Sequence, residues 1–206
     1  MVSTLEATEI NLRYLGDRFG LKRVRDPRFF GEWQDNLPEL DDRDRQALDK
    51  IREGYFNLVE YPPLLENAVK LTVVSPLLFV AGLYLPPFRI QCERSIQLQA
   101  EEDGVKIEGK IDILVLKDNF WVTVIEAKQV SFSLESGLAQ LLAYMLADPN
   151  PTTPTFGLLT NGANFRFVKL DRQESPKYAL SDVFAIDNQD NNLYTVLQIL
   201  RRSSQL

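Results

Sequence analysis

Histidine is missing from all 206 residues, and cysteine occurs once, as Cys92. Without an imidazole the chain has no Ser-His or Cys-His nucleophile pair, no His-based zinc hydrolase site and no His-centred metal nuclease site. The lone thiol excludes an internal disulfide and a Cys/His zinc site. Any chemistry must therefore rest on carboxylates, lysines or hydroxyls. Long apolar runs are lacking too: none reaches about 18 residues. The start, MVSTLEATEINLRYL, has no basic segment ahead of an apolar stretch, so neither export nor membrane insertion is expected. Cysteine usage fits the reducing cytoplasm. Internal repeats and low-complexity tracts are absent. A basic surplus is absent as well: 29 acids against 23 Lys and Arg leave a net charge of -6. That balance argues against coating nucleic acid by bulk electrostatics and leaves room only for local basic grooves.

What is present suffices for one core. Hydrophobic residues make up 45% of the chain, which suits one sizeable domain with an extension. We place a helical extension over residues 1–60, packed on a main domain over 61–206. Ile10, Leu12, Leu15 and Phe19, closed by Gly20, form one amphipathic helix; Leu48, Ile51, Tyr55 and Leu58 form another after Asp41, Asp42 and Asp44. Lys22, Arg23, Arg25 and Arg28, followed by Phe29 and Phe30, read as a solvated connector. Pro62 and Pro63 suit the first turn of a helix carrying Leu65, Glu66, Val69, Lys70 and Val73, with Ser75 and Pro76 as N-cap and N1 of a further turn.

Pro86 and Pro87 stop that helix, and from Arg89 the apolar period becomes two: Ile90, Cys92, Ile96 and Leu98, then Val105 to Leu116, then Trp121 to Ile125. This pattern predicts three antiparallel strands. A helix from Ser133, its cap, to Leu146 follows, then strands over 156–159 and 165–170 around an Asn161-Gly162 turn, and a last helix over 192–202. The order predicts an α/β sandwich with a central mixed β-sheet flanked by helices.

The segment from Glu108 to Lys128, EGKIDILVLKDNFWVTVIEAK, carries the chemistry. Alternation puts Glu126 and Lys128 on one face of the second strand and Asp112 near the end of the first. If Lys117 pairs with Trp121 across a three-residue loop, Asp112 falls opposite Glu126, with Cβ atoms about 4.5–5.5 Å apart. A two-residue Asp118-Asn119 loop sets Asp112 against Ile125 instead, unless a bulge intervenes. Two carboxylates that close repel unless a cation lies between them. Magnesium would suit Asp112, Glu126 and the Ala127 backbone carbonyl, and Lys128 would act as a base or stabilise charge. The alternative is an ordinary surface ion pair at the strand ends.

These residues resemble the PD-(D/E)XK nuclease superfamily, with its restriction-endonuclease-like fold. Within it the chain is similar to the N-terminal nuclease domain of type I restriction enzyme motor (R) subunits. IDILVL and VIEAK, then GLAQLLAYML and GLLTNGANFRFVKL, carry the resemblance over roughly residues 62–170. It implies a Mg2+-dependent endonuclease, with Mn2+ as a substitute ion, that hydrolyses phosphodiester bonds in DNA in restriction, defence or DNA processing. It implies Asp112, Glu126 and Lys128 as catalytic residues and adds Glu66 to the metal shell. Gln140 and Tyr144, one helical turn apart, match positions that support the site or contact nucleic acid. Tyr144 is equally suited to core packing, Glu66 to pairing with Lys70, and Asn161-Gly162 to a turn. Ile111 stands where the superfamily proline would be. The nearest phosphate-loop match, Gly104 to Lys110, has Ile111 in place of Ser or Thr, so a stand-alone domain without a motor is expected. DNA or another nucleic acid is the expected partner, together with a second copy of the chain or a partner subunit; no membrane is expected. The other class of function open to this fold is a catalytically inactive domain serving nucleic-acid binding or protein interaction.

Overall fold

The computed structural model describes residues 4–63, 65–99, 105–118, 120–131 and 133–206. Gly104 and Asn119, which figure in the expected phosphate-loop match and hairpin loop, lie outside them. One eight-stranded mixed sheet organises the chain. Its strands are β1 (Thr4–Glu6), β2 (Lys22–Arg23), β3 (Phe88–Gln99), β4 (Lys106–Lys117), β5 (Phe120–Ala127), β6 (Thr155–Thr160), β7 (Asn164–Asp171) and β8 (Lys177–Ala185). The main path runs β1-β4-β5-β6-β7-β8-β2, with β3 paired to β4. β5 and β6 are parallel, joined over the sheet by a crossover helix, while β3-β4-β5 and β6-β7-β8 are antiparallel.

The helices are α1 (Leu12–Phe19), α2 (Asp42–Val59), α3 (Glu66–Val69), α4 (Ser75–Val80), α5 (Glu135–Leu146) and α6 (Leu193–Ser204). Two apolar layers sandwich the sheet. On one face Leu48, Ile51 and Tyr55 of α2, Val69, Leu77 and Leu78, and Val196, Leu197 and Leu200 of α6 pack against Ile113, Val115, Ile125 and Phe167. On the other, α5 lies between the sheet and Leu15 of α1, covering Leu114, Val124 and Leu159. That position buries α5 from Gly137 to Leu146 on every side. Each fully buried Leu, Ile or Phe stabilises the fold by about 1.5–3 kcal/mol relative to exposure.

Several local expectations change. The first sixty residues are not helical throughout: β1 runs parallel to β4 and β2 parallel to β8, so the extension completes both ends of the sheet path. Pro62 and Pro63 precede the helix, which begins at Glu66 after Leu65. Ser75 caps nothing; its backbone is helical and its hydroxyl meets the Tyr84 hydroxyl at 2.9 Å. The Pro76 kink takes the form of a π turn over Lys70–Val74, in which the Ser75 amide reaches back to the Lys70 carbonyl. The widened turn lies just where Pro76 removes one helical donor and crowds the carbonyl four residues earlier. Ser133 does not cap α5, whose N-cap is Leu134 with no side-chain hydrogen bond. β8 is an addition, and Lys106 to Lys110 are strand, not a phosphate loop. No helix among the described residues is long and apolar enough to cross a membrane.

Candidate functional site

The β4–β5 hairpin decides whether the two acids meet. Lys117 pairs with Phe120 and Leu116 with Trp121, the register expected of a two-residue connection. Val115 then pairs with Thr123, so Val122 is an extra residue, and Leu114↔Val124 and Ile113↔Ile125 follow. Such a bulge shifts one strand by one residue. Trp121 and Val124 consequently bury on the same face, three residues apart. Continued by one step, the shifted register sets Asp112 against Glu126.

At that step the sheet forks. β4 pairs with β3 along its whole length, while its other edge pairs with β1 at 106–108 and with β5 at 113–117. The edge from Gly109 to Asp112 lies between the two partners. Asp112 closes the mouth of the fork: its Oδ2 accepts the Ala127 amide at 2.8 Å. Tyr144 fills the rest. An added Cβ on Gly109 would stand 2.8 Å from the Tyr144 ring and 2.9 Å from the Ala7 side chain, so only glycine admits the ring there.

Two lysines and four carboxylates gather around the fork. Lys128 Nζ donates to Glu126 Oε1 at 2.7 Å and to Gln140 Oε1 at 2.8 Å, and Gln140 Nε2 donates to the Tyr144 hydroxyl at 2.7 Å. Gln140 is thus the link that aims Lys128, and Tyr144, 1% exposed, holds Gln140 from the core. Gly137 gives this chain its room, since a Cβ there would lie 3.2 Å from Lys128 Cε. On the opposite face Lys70 Nζ binds Asp112 Oδ1 at 2.6 Å and Glu66 Oε1 at 2.7 Å, with Glu93 at 3.8 Å. Glu93 stands beside Asp112 on β3 with φ of 53°, a left-handed conformation uncommon outside glycine. An open cavity of about 430 Å³, lined by Leu65, Glu66, Asn67, Lys128 and Gln129, leads to the site.

Burial governs the protonation of this cluster. It pushes the Glu126 carboxyl up to about 8, with the negative charge of Asp112 adding to the shift and Lys128 opposing it. Burial also raises Asp112, against the Lys70 hydrogen bond and the Ala127 amide. Lys70 is pulled down by burial, but its hydrogen bonds to Asp112 and Glu66 outweigh that and hold it above the ordinary lysine value. Tyr144 is raised by burial.

Among the described residues, no three His, Cys, Asp or Glu side chains are grouped so as to hold a metal ion. Glu66 and Asp112 are drawn to Lys70 instead. The donor chemistry nevertheless fits a hard cation, because it consists of oxygens alone. One of them, Glu126 Oε2, is buried with no hydrogen-bond partner. A buried carboxylate oxygen without a partner is costly, and a cation would remove the cost.

Asp112, Glu126, Ala127, Lys128, Gln140, Tyr144 and Glu66 therefore lie around one locus, with Glu66 tied to it through Lys70. Asn161 forms the turn before β7: its Oδ1 accepts the amides of Ala163 and Asn164 at 3.2 and 2.8 Å. Lys70, Glu93 and the close-approach glycines 109 and 137 are additions to the expected set. Only Lys70 had a signal in the sequence, its i, i+4 relation to Glu66. Comparison with protein-family models and with curated proteins returns no match.

Proposed function

We propose that this chain is a metal-dependent phosphodiesterase domain of the PD-(D/E)XK type that cleaves DNA, with the restriction-endonuclease-like fold and a likeness to the nuclease domain of type I restriction motor subunits. The observation that carries this reading is the meeting of Asp112, Glu126 and Lys128 at a fork in the sheet, with Glu126 Oε2 buried and unpartnered. Asp112, Glu126 and the Ala127 carbonyl would hold a magnesium or manganese ion, with Glu66 beside them. When bound, the ion would lower the pKa of a water and offset charge gathering on the phosphate. Lys128, held by Glu126 and Gln140, would present a positioned ammonium to the same phosphate. Tyr144 keeps Gln140 in place.

A specific observation favours a second reading, an inactive nuclease-fold domain that binds nucleic acid or another protein: Lys70 and Lys128 already neutralise the acids. The test is cleavage of single- and double-stranded DNA with Mg2+ or Mn2+ by wild type, Asp112→Asn and Lys128→Met. The enzyme reading expects a loss of about 100-fold or more in each variant, with unchanged circular dichroism. An inert wild type, or activity that survives both substitutions, rejects it. DNA or protein binding without metal binding supports the second reading.

A further inference from the structure

The geometry points to Lys70 as a resident counter-cation of this site, one that must leave Asp112 before a divalent ion can bind there and that thereby sets the metal affinity. The inference rests on the metal-dependent reading above and adds to it a residue that controls loading.

Both oxygens of Asp112 are taken. Oδ1 receives the Lys70 ammonium at 2.6 Å and Oδ2 receives the Ala127 amide at 2.8 Å. The same ammonium holds Glu66 Oε1 at 2.7 Å. A magnesium ion sits about 2.0–2.1 Å from its oxygen ligands. An ammonium on that oxygen would face the ion across a few ångströms, and two cations so placed repel strongly. Lys70 therefore bridges Asp112 and Glu66, the two acids that the ion would need beside Glu126.

Withdrawal has a physical route. A lysine side chain is a flexible four-carbon stem that moves its charge by rotation alone. Its backbone begins the π turn between α3 and α4, so the helical segment stays seated on Val69, Val73 and Val74, all buried. Glu93, 3.8 Å away and 63% exposed at its side chain, offers a carboxylate nearer to solvent than Asp112, which is 12% exposed. Glu126 Oε2 remains a buried acid oxygen of the site with no hydrogen-bond partner.

The test is calorimetric titration of Mn2+ into the full chain, comparing wild type with Lys70→Met and Lys70→Gln, with Asp112→Asn as the site control. Both Lys70 variants are expected to bind Mn2+ at least about tenfold more tightly than wild type, and Asp112→Asn to lose binding. A merely structural ion pair predicts the opposite, since its loss loosens the site. If wild type binds Mn2+ and both variants bind equally or more weakly, the role of Lys70 is overturned and the metal-dependent reading stands. If no form binds Mn2+, the metal-dependent reading falls and this inference with it. The glutamine variant keeps hydrogen-bond donors without the charge, and circular dichroism with and without saturating Mn2+ monitors folding. Failure of both variants to fold even with Mn2+ also overturns the inference, because it makes Lys70 part of the framework.

Discussion

Glu126 carries a proton more readily folded than unfolded, since burial and Asp112 lift its pKa from an ordinary 4.5 to about 8. Its contribution to stability is full below the unfolded value and is lost as pH rises through the folded one. The metal-free protein is expected to lose on the order of 4 kcal/mol between pH 5 and pH 9 from this group. Glu126→Gln should flatten most of that dependence, as denaturant midpoints at the two pH values would show; an unchanged slope would place the proton elsewhere. Gly109 makes a second prediction, a steric one. Gly109→Ala puts a methyl 2.8 Å from the Tyr144 ring, and the overpacking should cost about 1–3 kcal/mol in urea denaturation. The chemical types at the site were legible in the sequence. Gly109 and Gly137 were not, because a glycine needed for close approach looks like any other until its neighbour is known.

Helices and strands show which local patterns suffice. The α2 helix was legible because Leu48, Ile51 and Tyr55 recur at helical spacing and Asp41 and Asp44 close a capping box. Asp44 also receives Arg201 of α6 at 2.5 and 2.7 Å, while Arg201 donates to the Val80 carbonyl of α4. Asp44→Ala should therefore cost about 3 kcal/mol in thermal unfolding at neutral pH, more than the loss of a cap alone. Arg201 holds Asp44 below its ordinary value, so this contribution should fade as pH falls through the lowered pKa. β8 escaped the pattern because Phe167 stands against both Ser181 and Asp182, a bulge that interrupts alternation. The bulge at Val122 acts the other way: it rescues a register that the short turn would have spoiled.

Across the whole molecule, binding of a cation to the folded state alone should raise global stability by mass action. Mn2+ at 100 times its dissociation constant should add about 2.7 kcal/mol. For a chain of this size that is a rise in Tm of several degrees. Asp112→Asn should abolish the rise, and an equal rise in that variant would mean the ion binds elsewhere. The sequence by itself determined the chemical menu, the α/β class and the place of Glu126 and Lys128 at the end of β5, because composition and period are local properties, whereas Asp112, expected near a strand end, stands mid-way along β4. Only the tertiary structure decided that a bulge aligns the acids, that the sheet forks around them, and that Lys70 reaches Asp112 across 42 residues of chain. Those outcomes depend on how elements distant in sequence pack, and burial then sets the charge each group carries.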